Sequence, residues 1–172
     1  TPRSEYRALT IEEIHSLLTH CAAKRQLTYE VALCTGLRAG ELSHLRVRHL
    51  HGEERGLSLD AEWTKNRKTG FQPLPEKLAF KLKGKVGGRG ASAPLLHIAQ
   101  KGHETHALAR DLANAGIPKH TPQGKAVFHS LRVTFATLLD SVGATEKESE
   151  RLMRHASRSL TFDRYTKVSM GR

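Results

Sequence analysis

Alternation of apolar and polar residues marks one part of this chain as strand-forming. It occurs in the short segments GLSLDAEW and FQPLP, on either side of the basic tract Thr64–Gly70. Elsewhere, where a pattern exists, apolar side chains recur three and four residues apart, the period of a helix. Such a chain is expected to be mainly α with a small antiparallel β-sheet or hairpin (α+β), the hairpin turning in or beside Thr64–Gly70. Thr10 followed by Glu13 is a capping-box signature, and it opens a helix bearing Ile14, Leu17 and Leu18. Further helices are expected from about Leu27 to Cys34, ending at Gly36, and from just after Arg38, with Leu42 and Leu45 turned inward. Others are expected over Glu76–Leu82, Gly102–Ala115, Phe128–Val142, Thr145–Met153 and Leu160–Lys167. GKVGGRGAS is too rich in glycine for regular structure, and it reads as a loop, as does Lys119–Lys125. Residues 1–9 read as a linker remnant and 10–172 as one domain, with no internal repeat.

A length of 172 residues allows one large domain or two small ones with a real core. No apolar run approaches the roughly 18 residues that span a bilayer, and no signal peptide opens the chain. The two cysteines, Cys21 and Cys34, lie in apolar helical stretches and read as buried free thiols of a reducing compartment. Charge is more informative. Lys and Arg number 28 against 17 Asp and Glu, a net charge of +11. This excess favours a polyanionic partner, and nucleic acid over membrane because no basic amphipathic helix stands out. A merely soluble basic surface is the alternative.

A phosphodiester can be opened without metal or water when a hydroxyl attacks phosphorus and cations hold the developing charge. The chemistry needs guanidinium forks on the non-bridging oxygens, a proton donor for the leaving oxygen and a base for the nucleophile. Residues of each type occur here. Arg38, in TGLRAGEL, stands at a helix start, where free N–H groups and the helix dipole favour an anion. It could equally be a surface arginine paired with Glu41 at i+3. His129 and Arg132, in HSLR, are three apart and share a helix face, although His-x-x-Arg alone is a weak signal. Leu131, Phe135, Leu138 and Leu139 would occupy the core side, turning the polar pair toward a groove. Lys65, Arg67 and Lys68 fall in the hairpin tract, where turn charges need do no more than touch phosphates. His155, in MRHAS, could be a helix-terminal cap. Tyr165, in LTFDRYTK, competes with Tyr6 in the linker and Tyr29 on a helix. A phenol at neutral pH is ionised in only about one molecule in a thousand, so a nucleophilic tyrosine needs cationic help.

These strings, in this order, resemble the catalytic domain of the tyrosine recombinases, the phage integrase family, over roughly Thr10 to Lys167. TGLRAGEL is similar to the family's first arginine box and HSLRVTFATLL to its second, in which Val133 replaces a frequent histidine. TKNRKTGFQPLP resembles the lysine hairpin, and the interval from His155 to Tyr165 matches. Arg154 stands where relatives commonly have glycine, a departure that could add a phosphate contact. The resemblance implies that Tyr165 attacks a DNA phosphodiester, leaving a 3′-phosphotyrosyl bond and a free 5′ hydroxyl. Arg38, Arg132 and His155 would stabilise the transition state, and His129 would assist proton transfer. Lys65, or alternatively Lys68, would protonate the leaving oxygen, while Glu41 would orient the site.

Double-stranded DNA is the implied partner, bound by a tetramer assembled from free monomers, in the cytoplasm with the nucleoid. Relatives usually carry a DNA-binding domain before this region, so a chain that begins at Thr1 reads as a piece of a longer protein. No cofactor is implied: HETH near His97, His103 and His106 lacks zinc spacing, GKVGGRG is not a phosphate loop, and the acids form no two-metal cluster. A type IB topoisomerase shares the chemistry and is the nearest rival. A non-catalytic DNA-binding module would have no need of the terminal tyrosine.

Overall fold

A computed structural model describes residues 5–154. The helix expected from the capping box is α1 (Ile11–His20). The Thr10 hydroxyl accepts the Glu13 N–H at 3.1 Å, and Glu13 Oε1 accepts the Thr10 N–H at 2.9 Å. Helix α2 (Ala23–Thr35) begins before the expected Leu27 for a reason that lies far away in sequence. Asp111 accepts the Ala22 N–H at 3.1 Å and pairs with Arg25 at 2.6 Å, capping the helix from another element. Burial alone would raise the Asp111 carboxyl. Hydrogen bonds from Arg25, Tyr29 and the Ala22 N–H outweigh it and hold the group below the ordinary carboxylate value.

Helix α2 ends at Gly36 in the left-handed region, φ +68°, and α3 (Ala39–His44) follows after two residues. A 3₁₀ turn (Val47–His49) leads into a three-stranded antiparallel sheet of β1 (Leu50–His51), β2 (Gly56–Leu59) and β3 (Gly70–Pro73), in that order. Leu57 stands opposite Leu50 on one side and Gln72 on the other. Pro73 lies on an edge strand, where its missing N–H leaves no gap in the ladder. The turn between β2 and β3 contains the basic tract, as expected, whereas β1 is too short to show an alternation.

Helices α4 (Glu76–Lys85) and α5 (Glu104–Asn114) follow. The first runs three residues past the expected end at Leu82. The second starts after Gly102, whose φ of +87° is not helical. Lys119–Lys125, expected as loop, contains two paired two-residue strands, β4 (His120–Thr121) and β5 (Gly124–Lys125). Helix α6 (Ser130–Ser141) crosses α2, and α7 (Glu146–Met153) opens on a second capping box formed by Thr145 and Glu148. The expected helix Leu160–Lys167 lies outside the described residues.

The principal core joins Leu17, Tyr29, Val31, Leu57, Leu82, Leu108 and Leu131. A smaller cluster of Val133, Phe135, Ala136 and Met153 sits under α6 and α7. Both cysteines are free and half-buried, and burial pushes both thiols up from their ordinary value. No helix among the described residues is long and apolar enough to cross a membrane.

Of the segment read as a linker remnant, residues 5–9 are described, and they lie against the domain. Tyr6 bridges to Lys125, and the Leu9 N–H is accepted by Thr134 Oγ1 at 2.9 Å. Arg7 is buried, donating to both Glu13 carboxylate oxygens and to the Pro118 carbonyl.

Candidate active site

The turn between α2 and α3 places the first arginine. A Cβ on Gly36 would lie 2.4 Å from Phe135 Cδ1, so glycine is required both for its positive φ and for the close approach of α6. Leu37 is buried, and Arg38 becomes the residue preceding α3, with its backbone extended. The Arg38 N–H is accepted by Glu41 Oε1 at 3.0 Å. The guanidinium approaches the same oxygen only to 3.9 Å and remains partly exposed. The i+3 pairing offered by the sequence is therefore loose. Glu41 is itself buried, and its closest charged partner is Arg154 Nη2, at 2.9 Å.

Helix α6 places the second arginine. Arg132 borders a cleft with His129, as the helical period suggests, but it is almost wholly enclosed. It is 1% exposed and is the largest fully buried side chain among the described residues. Ser130 through Thr137 are all buried, so this helix is enclosed on every side over two turns. Arg132 Nη1 donates to the Gly36 carbonyl and Nη2 to the Met153 carbonyl, both at 2.5 Å. These bonds tie the second arginine to the turn that orients the first. His129 immediately precedes α6, its carbonyl accepting the Arg132 N–H at 3.0 Å. Arg38, His129 and Arg132 line one cleft of about 240 Å³, together with Leu37, Glu104 and Tyr6.

Tyr6, weighed in the sequence only as a competing tyrosine of the linker, lines the cleft as well. Its ring centroid lies 5.7 Å from that of His129. The bridge to Lys125 that places it there leaves no local pattern.

The hairpin lysines stand apart from this cleft. Lys65, Arg67 and Lys68 are exposed on the connection between β2 and β3, outside the cleft lining. The connection is nevertheless ordered by its own chemistry. Buried Thr64 donates to the Lys68 carbonyl at 2.9 Å, Asn66 Oδ1 accepts the Lys68 N–H at 3.2 Å, and Arg67 takes a left-handed φ of +57°. Its base rests on Trp63, the sole tryptophan of the sequence. The indole stacks on His44 of α3 with ring centroids 5.6 Å apart and meets His49 edge-on. His49 Nδ1 accepts the Arg46 N–H, so neutral His49 carries its proton on Nε2 and donates it to Asp60 at 3.0 Å. That bond from His49 is the main reason the Asp60 carboxyl lies below its ordinary value. Helix α3 thus follows Arg38 at one end and supports the lysine hairpin at the other. A lone tryptophan two residues before Lys65 was the available signal for this anchor.

Arg154 closes α7 in the left-handed conformation, φ +54°, with its side chain turned inward to Glu41. It does not present a free cation to solvent. His155 and Tyr165 lie outside the described residues. Among the described residues, no cluster of three His, Cys, Asp or Glu side chains is placed to hold a metal ion.

One cleft of this helical domain thus brings together a buried arginine, a second arginine and a histidine, side chains of the kind that pair with anions. The sequence matches the phage integrase family over residues 7–172, and the chain belongs to that family. The fold is shared at low identity with solved proteins that include the following three. The integrase of the Tn1549 transposon, in complex with a circular intermediate DNA, superposes with a TM-score of 0.77 and 19% identity, covering 98% of this chain and 66% of that one. XerA recombinase gives 0.75 and 21%, covering 96% and 60%. The catalytic domain of bacteriophage HP1 integrase gives 0.72 and 20%, covering 95% and 89%. The chain therefore spans slightly less than two thirds of the first two proteins and most of the third. Comparison with curated protein sequences gives no match.

Proposed function

We propose that this chain is the catalytic domain of a site-specific DNA recombinase that cuts and rejoins strands through a covalent phosphotyrosine. The observation that carries this reading is the meeting of Arg38, His129 and Arg132 in one cleft, in a chain of the phage integrase family. A phosphate seated there would meet two guanidinium groups in a partly desolvated setting, where charge-assisted hydrogen bonds are strong. The Tyr165 oxygen attacks phosphorus, the bond from phosphorus to the 5′ oxygen breaks, and a 3′-phosphotyrosyl link forms. His129 takes the phenolic proton, and Arg38, Arg132 and His155 stabilise the five-coordinate transition state. Lys65 gives a proton to the departing 5′ oxygen, carried to the phosphate by its hairpin when DNA is bound. A 5′ hydroxyl from another strand then reverses the step. The covalent bond conserves the energy of the cut, so the cycle needs neither ATP nor a metal ion.

The partner is double-stranded DNA, on which four copies assemble from free monomers, in the cytoplasm with the nucleoid. Net charge of +11 supports the attraction to DNA. The test is incubation with a nicked suicide substrate, which traps the covalent state. An adduct that survives SDS, together with resolution of a Holliday junction, is the expected result. Relaxation of supercoils without junction resolution would reassign the chain to topoisomerase chemistry. No adduct on any duplex carrying a recognised site would overturn the reading.

A further inference from the structure

One side chain at the end of α7, that of Arg154, makes the contact that joins three parts of the site. Arg154 holds a left-handed backbone, which glycine adopts freely and a residue with a Cβ does not. Its side chain is nearly buried, and Nη2 lies 2.9 Å from Glu41 Oε1. That carboxylate oxygen also accepts the Arg38 N–H. The Cδ of Arg154 lies 3.7 Å from where a Cβ on Gly70 would stand, so its stem lies against the start of β3, just beyond the lysine tract. The preceding residue, Met153, gives its carbonyl to Arg132. The end of α7 is therefore tied to the Arg38 turn, to Arg132 and to the base of the lysine hairpin, immediately before His155 in sequence.

We propose that Arg154 is a positioning residue, a clasp to Glu41 that fixes where the chain carrying His155 and Tyr165 leaves α7 relative to the two arginines. It does not act by gripping DNA. Its guanidinium is turned inward onto a buried carboxylate and is not among the side chains that line the cleft of Arg38, His129 and Arg132. Glycine at this position would satisfy the backbone and provide no clasp. The chain keeps the less comfortable residue, and the ion pair to Glu41 is what it gains. The inference rests on the recombinase reading for its catalytic consequence but not for the clasp itself.

The test compares Arg154→Gly and Arg154→Lys in the full chain, alone and with Glu41→Gln. With saturating nicked suicide substrate, Arg154→Gly should slow single-turnover adduct formation about tenfold or more, since misplacement of reacting groups has effects of that size. Its thermal midpoint should fall, because buried Glu41 loses its closest charged partner and the relief of the left-handed backbone offsets only part of that loss. Arg154→Lys, which keeps the charge, should recover part of the rate. In the Glu41→Gln background, Arg154→Gly should cost nothing further. DNA affinity and its salt slope should not move. A phosphate contact would instead flatten the slope of log K against log salt by about 0.9 and leave the chemical step alone.

Hydrogen exchange of the α7 amides supplies the arm that does not depend on chemistry, and it should quicken in Arg154→Gly. Faster exchange in a chain that forms no adduct even as wild type would sink the recombinase reading and leave the clasp standing. A wild-type rate in Arg154→Gly, with exchange unchanged, would overturn the clasp.

Discussion

Gly36→Ala tests whether the α2–α3 turn is as tightly determined as its geometry implies. Two costs are expected. The residue has φ +68°, and placing an L side chain in that region costs about 1–2 kcal/mol. The new methyl would also stand 2.4 Å from Phe135 Cδ1, well inside the roughly 3.5–4.0 Å of a comfortable carbon contact. Relief requires α6 or its ring to shift, and overpacking of this kind costs about 1–3 kcal/mol. The total is about 2–5 kcal/mol, a drop of roughly 1–2.5 M in the urea midpoint for a slope near 2 kcal/mol per molar. Urea unfolding of the full chain, followed by circular dichroism, reads it directly. The two terms separate in a double-mutant cycle. In a Phe135→Ala background the clash is gone, and Gly36→Ala should cost only the backbone term. Cleavage should fall as well, because the Gly36 carbonyl is a partner of Arg132. Equal cost in both backgrounds would show that close approach of α6 does not select glycine. No cost in either would refute the reasoning for the turn as a whole.

Three further outcomes follow from the same geometry. Arg38→Ala and Arg132→Ala should each slow cleavage about a hundredfold, as loss of one pre-organised donor does. Only Arg132→Ala should also lower the melting temperature, because it strips hydrogen bonds from two buried carbonyls, whereas Arg38 is partly exposed. Lys65→Ala should cripple cleavage of a normal phosphodiester and recover on a substrate with sulfur at the leaving 5′ position, since a thiolate departs without protonation; rescue confined to Lys68→Ala would move the role along the hairpin. Asp111→Asn should destabilise by about 3–5 kcal/mol, since it leaves Arg25 without its buried counter-charge. Because the Asp111 carboxyl lies below its unfolded value of 3.8, its stabilisation is full at neutral pH and fades as pH falls through that lowered value. The gap in urea midpoint between wild type and Asp111→Asn should therefore be constant near neutrality and close in strong acid.

What could be read from sequence was what is written locally. The Thr10–Glu13 box, the glycine stop after α2 and the alternation on either side of the lysine tract each follow from a few adjacent residues, and each is found in the structure. The misses came from long-range chemistry. Helix α2 starts early because Asp111 caps it, and no residue near Ala23 carries that information. Helical period turns Arg132 toward a groove, and it does line the cleft, but Ser130–Thr137 are all buried, and periodicity cannot report a stretch of helix without an outer face. Tyr6 enters the cleft through a bridge to Lys125, and strands β4 and β5 are too short to show a period. The three cleft residues Arg38, His129 and Arg132 were each named from sequence, but their convergence was not visible there. Arg154 was visible only as a departure from the family pattern, and its direction, inward to Glu41, had to come from the fold.

The central claim is that a tyrosine of this chain becomes joined to DNA, and that the tyrosine is Tyr165. Tyr6, a competitor already in the sequence, lies in the cleft beside His129. Peptide mapping of the adduct trapped on a nicked suicide substrate, by mass spectrometry after nuclease digestion, decides between them. The phosphonucleotide should sit on Tyr165, with Tyr165→Phe forming no adduct while still binding DNA, and Tyr6→Phe still forming one. A modified Tyr6 peptide, or an adduct that persists in Tyr165→Phe, would contradict the mechanism.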